Sequence, residues 1–292
     1  MATKLLYLES PALRDEAIVQ EISPAEGQIV NIILDQTIFH CQGGGQQSDR
    51  GILLFKSQTS EKDVIFTVNK VSLEKDSGHV LHQGIFPDNI LQNEREAIVI
   101  GTKCQMVVDK EERLRNSTLH TAGHVIDFLM ILANTADNSF IDSPTMKPDG
   151  SGIDLRPIRG YHFPDSPYLE YAGLIPANKR AQFVQVMQKL ADETTSKSIP
   201  VEITMRPFRD IPAEKKALLK GDHSDDEIVR VVGVGGYICG CGGTHLRDVN
   251  MIKKLTIRKV ICKGVTTRVC YSAEPVELGD VPEDQICAGL SR

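Results

Sequence analysis

Two pairs of metal-binding residue types, far apart in the chain, place the strongest constraint on the fold. His120 and His124 are four positions apart in an apolar run, a spacing that puts both imidazole rings on one face of a helix. Cys241 and His245 have the same spacing in a glycine-rich segment that can bend around an ion. Three imidazoles and one thiolate suit Zn²⁺. We therefore expect a fold that brings both pairs to one zinc ion.

The residues around these pairs limit the kinds of metal site that the sequence can form. A single pair of histidines on a helix is often explained by packing alone. Two pairs of ligand residues with the same spacing, in a chain with eight histidines, favour a metal site instead. Zinc proteases place a glutamate after the first histidine, whereas this chain has Thr121, so a protease of that type is not expected. Cys239 is a competing thiol. We interpret it as a buried cysteine at a strand end, because Cys241 has the matching spacing to His245.

Composition and charge exclude several classes of protein. The chain has 292 residues, of which 25% are charged and 41% hydrophobic, which is ordinary for one large or two smaller globular domains. A net charge of −6 argues against nonspecific coating of nucleic acid. The odd number of scattered cysteines, seven, favours a reducing cytoplasm over a disulfide framework. No apolar run approaches the ~20 residues that span a bilayer, so we expect no membrane segment.

The sequence predicts two domains, residues 1–100 and 101–292. Residues 1–100 carry short apolar runs separated by turn signals, a pattern typical of a small β-barrel. The predicted strands are 17–19, 29–34, 51–55, 64–68 and 97–100.

The second domain is predicted to be α+β, with helices packed on an antiparallel sheet. Asp109 begins a capping box, and the apolar period after it predicts a helix to about Ala133. Prolines within residues 134–175 predict mixed strands and loops. A second helix is expected over residues 178–195, with Val184, Met187 and Ala191 on its packed face, and a short third helix after Pro212. Strands are expected at 201–205, 227–234, 255–262 and 267–272.

Three ordered motifs carry a family resemblance over roughly residues 1–275. They are Arg113 with His120-Thr121-Ala122 and His124, the segment Cys241-Gly242-Gly243-Thr244-His245, and the glycine-rich run from Thr37 to Gly51. The sequence resembles the editing domain of alanyl-tRNA synthetase, and in particular its freestanding relatives of the AlaX type. It departs from the family pattern at Cys41, where proline is usual, at Gly123, where a larger residue is common, and after His245.

The resemblance implies an N-terminal barrel and an enzyme that hydrolyses the ester of serine, or of glycine, on mischarged alanine tRNA. Zinc in such an enzyme could polarise the ester carbonyl or acidify a water molecule. His120, His124, Cys241 and His245 are then the metal ligands and the catalytic centre. Gly43, Gly44, Gly45, Gln46 and Thr244 are expected at the substrate, and Lys253, Lys254, Arg258, Lys263 and Arg268 at the RNA. We expect a cytoplasmic protein, a monomer, that edits but does not charge tRNA.

Several alternatives stay open at this point. Four protein ligands are typical of a structural zinc site, whereas a hydrolytic site keeps one coordination position open. Three explanations are possible: His245 leaves the metal, zinc takes a fifth ligand when substrate binds, or zinc only orders the pocket. The glycine turn has a plain interpretation as a hairpin, and the basic stretch as a solvated strand face. Ser139, Ser143 and Thr145 are candidates for contacting a serine hydroxyl. The rival functions are a non-enzymatic zinc-stabilised module that binds RNA or protein, and a zinc hydrolase of small esters or amides.

Overall fold

The chain divides into two compact units, each described here by itself. The computed structural model describes residues 1–57, 63–136, 155–216, 219, 221–277, 279 and 282–291. The first unit is Met1–Gly43, Gln47–Arg113 and Pro282–Ile286, and the second is Gly44–Gln46, Leu114–Val281 and Cys287–Arg292. The tip of the glycine-rich run, Gly44–Gln46, is therefore part of the second unit.

The first unit is built around a closed antiparallel barrel. Its strands are β1 Lys4–Leu5, β2 Arg14–Pro24, β3 Val30–Leu34, β4 Gln36–Thr37, β5 Gly51–Phe55, β6 Val64–Leu73, β7 Val80–Ile85 and β8 Lys103–Val108. Six of them close in the order β2-β3-β7-β6-β5-β8, and β1 pairs with β4 in parallel. Alternation directs the packing: Val64, Phe66 and Val68 of β6 are buried while Ile65 is exposed. The predicted barrel is confirmed.

One predicted strand of the barrel is wrong. Residues 97–100 form a turn between a short helix, α1 Gln92–Glu96, and β8. The Thr102 hydroxyl accepts a hydrogen bond from the Val99 N–H at 3.0 Å, and Gly101 has a φ of 91°. Val99 and Ile100 are exposed, so this apolar run does not enter the barrel. The sixth barrel strand lies beyond residue 100, at the alternating segment Lys103–Val108.

A buried ion pair fixes the base of the glycine-rich run in the first unit. The Arg113 Nε donates to both carboxylate oxygens of Asp49 at 3.1 Å, and both side chains are almost fully buried. Asp49 also accepts from the His40 N–H at 2.6 Å, while Arg113 donates to the Ile38 carbonyl at 2.7 Å. Asp49 therefore orders the loop. Breaking such a pair leaves an uncompensated buried charge.

The second unit is α+β, which confirms the predicted class. Its elements are α2 Lys110–Ala136, which begins in the first unit, β9 Arg156–Tyr161, β10 Tyr168–Ala172, α3 Arg180–Thr195, β11 Val201–Pro207, α4 Ala213–Lys216, β12 Ile228–Val234, β13 Tyr237–Gly240, β14 Ile252–Lys263 and β15 Thr266–Pro275. The strands form two antiparallel sheets rather than the single one expected, ordered β14-β15-β10-β9 and β11-β12-β13. None of the helices in the described part of the chain is long and apolar enough to cross a membrane.

Local signals account for the two long helices. The Glu112 N–H donates to Oδ1 of Asp109 at 3.0 Å, so the predicted cap of α2 is confirmed. Met187 and Ala191 of α3 are buried as predicted, together with Phe183, whereas Val184 is only half-buried. The Gln188 carboxamide bonds the Leu255 carbonyl at 2.9 Å and the Ile257 N–H at 2.8 Å, so α3 covers the edge strand β14.

The barrel encloses a histidine outside the metal-binding pairs. His82 on β7 is fully buried, and its Nδ1 donates to the Ile32 carbonyl at 3.0 Å. Thr37 accepts from the Phe39 N–H at 3.0 Å and can donate its hydroxyl proton to His82 Nε2 at 2.8 Å. Burial lowers the pKa of His82 from 6.5 to about 4, with only partial compensation by the carbonyls. The neutral imidazole is therefore part of the folded state.

We predict that His82 makes folding sensitive to acid. Because the pKa of His82 is lower in the folded than in the unfolded chain, its stabilising contribution is complete above pH 6.5 and is lost as the pH falls towards 4. Between pH 7 and pH 5 the unfolding free energy should fall by about 2 kcal/mol from this group. Urea unfolding of wild type and of His82→Gln at both pH values measures the difference, since all other histidines contribute equally. Parallel pH dependences would contradict the prediction.

Candidate metal centre and cavity

The structure brings the four predicted ligands together. One ligand atom from each of His120, His124, Cys241 and His245 lies within 4.8 Å of all the others. The Cys241 Sγ lies 3.3 Å from Nε2 of His120 and 3.3 Å from Nε2 of His245. Tetrahedral zinc with ordinary bond lengths would place sulfur and nitrogen ligands ~3.5 Å apart. The donor set therefore fits a metal ion, and the three histidines are buried.

Gln46 sets the tautomer of His120. The Thr244 N–H can only donate, and it points at Gln46 Oε1 at 3.0 Å, which identifies that atom as the oxygen. The same oxygen lies 2.7 Å from Nδ1 of His120, so Nδ1 carries the proton. Nε2 then has a free lone pair for the metal. Gln46 Nε2 in turn donates to the Thr244 hydroxyl at 2.8 Å, so both ends of the carboxamide are held.

The glycine at position 243 permits this arrangement. A Cβ atom on Gly243 would lie 2.2 Å from the His120 ring and 2.7 Å from Gln46 Oε1. Any side chain there would displace one of the two groups that define the ligand orientation. The Cys-Gly-Gly-Thr-His sequence therefore reflects close packing of the loop against α2 as well as freedom to bend.

Burial shifts the pKa of two of the candidate ligands, His124 and Cys241, towards their uncharged forms. Burial, with a smaller effect from Arg230, lowers the pKa of His124 from 6.5 to about 4, so its imidazole is neutral at neutral pH. Burial raises the pKa of the Cys241 thiol, and the Gly243 N–H, 3.4 Å from Sγ, opposes this only in part. A bound cation would reverse the preference of Cys241 and hold it as a thiolate.

Cys239 lies beside the donor set. Its Sγ is 3.3 Å from Nδ1 of His124. It is half-buried at the end of β13, so the predicted strand-end position is confirmed although burial is incomplete. Thr121 similarly lies near His245 Nδ1 at 3.5 Å and accepts from the Leu246 N–H at 2.9 Å. These neighbours orient the rings rather than extend the donor set.

A cavity of about 620 Å³ opens beside the four donors. This volume is typical of a small-molecule site. Its walls come from α2, β9, β10 and the loop after β13. They include Gly44, Gly45, His120, His124, Asp127, Arg159, His162, Glu170, Tyr171, Tyr237, Cys239 and Cys241. Three of the four candidate ligands, His120, His124 and Cys241, therefore border this space.

His162 is a cavity residue that the sequence did not reveal. Its ring stacks on His120 at 4.4 Å between centroids, and Cβ atoms on Gly45, Gly123 or Gly160 would each lie within 3.3 Å of it. The room that Gly123 leaves near the metal site is thus filled by an imidazole. Burial, with a smaller effect from His124, lowers the pKa of His162 to about 3, so the ring is neutral.

A chain of hydrogen bonds also fixes the tautomer of His162. Tyr271 donates its hydroxyl proton to the Leu119 carbonyl at 2.8 Å. The same hydroxyl oxygen lies 2.7 Å from Nδ1 of His162, so it accepts from that nitrogen. Nε2 of His162 is therefore an acceptor. No spacing in the sequence connects these three residues, which lie on α2, after β9 and on β15.

The other predicted site residues occupy different surroundings. Gly44 and Gly45, with φ values of 58° and 79°, line the cavity, while Gly43, Gln46 and Thr244 are not among its described lining residues. Gln46 and Thr244 are buried behind His120. Ser139, Ser143 and Thr145 lie outside the described residues.

The predicted RNA-binding residues lie on two neighbouring strands. Lys253, Lys254, Arg258 and Lys263 are exposed on β14, and Arg268 is half-buried on β15. Lys253 pairs with Glu277 at 3.0 Å, and Arg268 pairs with Glu170 at 2.9 Å.

Comparison with known proteins finds relatives that match most of this chain. The chain is 27% identical over 279 residues to the alanyl-tRNA editing protein AlaX-M of Methanosarcina acetivorans. The alignment covers 92% of this chain and 98% of that protein. AlaX-M of Methanosarcina mazei is 27% identical, with 93% and 96% covered. The chain is thus a homologue of AlaX-type alanyl-tRNA editing proteins, as its motifs predicted.

The relationship extends to part of a larger enzyme. The mitochondrial alanine–tRNA ligase of Rattus norvegicus is 26% identical over 277 residues, which cover 87% of this chain but 24% of the ligase. No protein-family model matches the chain.

We predict that the metal is held through Cys241 and not through Cys239. Cys241→Ala removes one of the four convergent donors, so purified protein should lose most of its zinc. Cys239→Ala is the matched control, because it removes a thiol two positions away that lies near His124 Nδ1 but is not one of the four convergent donors. Elemental analysis of both variants checks this. Full zinc retention by Cys241→Ala, or loss from Cys239→Ala, would reassign the thiolate ligand.

We also predict that Gln46 supports metal affinity without being a ligand. Gln46→Ala releases Nδ1 of His120, and loss of such a partner typically weakens metal binding ~10- to 100-fold. Gln42→Ala, an exposed glutamine before the same glycine turn, is the control and should bind metal as wild type does. Competition with a chromogenic chelator measures both affinities. Unchanged affinity in Gln46→Ala would contradict the assigned tautomer.

Proposed function

We propose that this protein is a zinc-dependent deacylase that removes serine, and in second place glycine, from mischarged alanine tRNA. The observation that carries the proposal is the convergence of four candidate metal donors, of which His120, His124 and Cys241 line a cavity of about 620 Å³. The homology to AlaX-type editing proteins supports the reaction class. We further propose zinc as the metal, a cytoplasmic location, a monomeric state, and RNA contacts by Lys253, Lys254, Arg258, Lys263 and Arg268.

The cavity carries a charge that suits an aminoacyl ester. Asp127 lies on the cavity wall, and its Oδ1 accepts from the Tyr171 hydroxyl at 2.7 Å. A carboxylate oriented in this way can pair with the α-ammonium group that an amino acid keeps when its carboxyl group is esterified. A simple ester lacks that cation. This feature favours aminoacyl-tRNA over the small esters of the rival hydrolase.

His162 offers a means of selecting serine. Its Nε2 is an acceptor with no proton of its own, because Tyr271 fixes the proton on Nδ1. We assign Nε2 as the acceptor for the serine hydroxyl. When alanine occupies the site, that acceptor would be buried without a partner, which costs about 1–3 kcal/mol. Discrimination by an unpaired polar group of this kind is the strongest available to an enzyme pocket.

The residues around the metal position prepare the reaction. Zinc at this centre would supply Lewis-acid polarisation of the ester carbonyl. Gln46 keeps His120 in the ligand tautomer, and the neutral His124 needs no proton loss before binding a cation. The three ligand imidazoles are buried, and charge interactions are stronger in such low-dielectric surroundings than in water.

A non-enzymatic module stabilised by zinc is the principal rival. It needs the same four ligands, but it has no need of a cavity of about 620 Å³ against two of the ligand rings. Removal of zinc separates the two functions. A deacylase that stays folded under a chelator should lose its activity, whereas a structural module should lose its fold.

We predict that seryl-tRNA(Ala) is hydrolysed at least ~10-fold faster than alanyl-tRNA(Ala), because alanine leaves the His162 acceptor unpaired. His120→Ala should abolish both activities. His162→Leu, which keeps the bulk between the three glycines but removes the acceptor, should reduce the preference for serine while leaving hydrolysis of alanyl-tRNA(Ala) measurable. Release of labelled amino acid from purified charged tRNAs measures these rates.

The outcomes separate the two levels of the proposal. Equal rates on the two substrates would remove the proofreading role. A serine preference that survives in His162→Leu would transfer selectivity to another residue and leave the deacylase assignment intact. No hydrolysis by the zinc-loaded wild type would end the enzymatic proposal.

A further inference from the structure

The outward face of the β14-β15-β10-β9 sheet carries a column of stacked planar side chains. Tyr161 stacks on Phe163 at 4.7 Å between centroids with an interplanar angle of 11°, and on Tyr168 at 5.4 Å with an angle of 20°. The guanidinium of Arg268 lies 4.6 Å from the centre of the Tyr168 ring. These four side chains, which we call the aromatic column, are all only half-buried.

Cross-strand register places the column on one face. Tyr168 pairs with Tyr161 on β9 and with Cys270 on β15. Side chains opposite each other in antiparallel strands share a face. Tyr271 and Leu169, their neighbours in sequence, are buried on the other face. The alternation gives the sheet a packed side and an open side that carries aromatic rings.

Two arginines are held in place on this face. Glu170 accepts from Nε of Arg268 at 2.9 Å and from Nε of Arg159 at 2.7 Å, while the arginine side chains stay 41% and 55% exposed. Glu170 is itself nearly buried, and this double pairing holds its pKa below the usual value. The guanidinium planes are therefore positioned before any partner arrives, which reduces the entropy lost on binding.

The charge of the face is complementary to an anion. Lys259 and Lys263 are exposed on β14, in register with Cys270 and Thr266 of β15. Among the residues that the structure describes beside the column, the acidic groups are Glu170, which is paired twice, and Asp165, which accepts from the Tyr161 hydroxyl at 3.3 Å. Cations thus exceed acidic groups around the column. Aromatic rings interleaved with cations are typical of surfaces that bind unpaired nucleotides.

Two residues beside the column also line the cavity. Arg159 and Glu170 line the cavity that holds the metal donors and also belong to the open face. If the ester bond at the terminal ribose enters the cavity, the preceding nucleotides must lie immediately outside it. Four-stranded sheets that bind single-stranded RNA stack its bases on exposed aromatic side chains.

We propose that the aromatic column binds the unpaired nucleotides at the 3′ end of an RNA, whose bases extend the stack at Arg268 and whose phosphates pair with the two arginines. The inference rests on the proposed function for the identity of the RNA. The column itself is tested by binding alone, without catalysis.

The probes are two 5′-labelled RNA hairpins, one with an unpaired 3′ extension ending in CCA and one with a blunt end. Fluorescence anisotropy with zinc-loaded full-length protein should show tighter binding of the extended hairpin. Tyr168→Ala should weaken that binding about tenfold, the effect of one lost stacking interaction, and leave the blunt hairpin unaffected. Tyr168→Phe should bind as wild type does. Arg268→Lys keeps the charge but not the plane and should also weaken binding.

Phe86→Ala is the matched control, because Phe86 is a half-buried ring in the first unit with Arg95 5.6 Å from its centre. It should bind both hairpins as wild type does. Equal affinity of wild type for the two hairpins, or equal losses on both in Tyr168→Ala, would overturn the proposal. If the preference for the extended hairpin depends on Tyr168 but the protein has no deacylase activity, the proposed binding surface is supported and the proposed enzymatic function is refuted. If the protein deacylates tRNA but Tyr168→Ala binds both hairpins as wild type does, the enzymatic function is supported and the binding surface is refuted.

Discussion

The metal centre depends on one carboxamide. Gln46 joins three distant segments, because its oxygen accepts from both the His120 imidazole and the Thr244 N–H, and its nitrogen donates to the Thr244 hydroxyl. These bonds add to the direct contacts between α2 and the loop after β13, such as the bond from the Leu246 N–H to the Thr121 hydroxyl. The Thr244 N–H sets the orientation of the Gln46 carboxamide, and the carboxamide oxygen sets the tautomer of His120. His120 Nε2 is therefore left with a free lone pair for a metal ion. The geometry of the donors is thus established by the protein before the cation binds.

The tautomer of a second histidine, His162, is also set by hydrogen bonds, although His162 is not one of the four candidate metal ligands. His162 is fixed through Tyr271 and the Leu119 carbonyl, and it is neutral because it is buried. In a low-dielectric site, a single acceptor of known orientation discriminates strongly between ligands with and without a hydroxyl group. Glycines on three segments make room for the ring. The position of the His162 ring therefore depends on the glycines that leave room for it as well as on its hydrogen-bond partners.

The sequence predicted the parts of the site that depend on local spacing. His120 and His124 share a helical face, and the cap at Asp109 marks the start of that helix. The roles of Gln46 and His162 could not be predicted, because their partners are distant in the chain and no periodicity relates them. The strand proposed at residues 97–100 failed for a related reason. Its apolar composition is that of a strand, but the hydroxyl of Thr102 and the positive φ of Gly101 stabilise a turn, and composition alone cannot weigh those effects.

The chain path through the second unit limits how this protein can be divided. Gly44–Gln46 belong to that unit although the residues on both sides of them belong to the barrel. A fragment that starts at Leu114 would contain all four metal ligands, yet the group that sets the tautomer of His120 would stay behind. The second unit is therefore built from separate stretches of the chain, and one of them is this short loop. Recombination that exchanged one unit for a foreign one would have to preserve that short loop, so the two units are expected to be inherited as a pair.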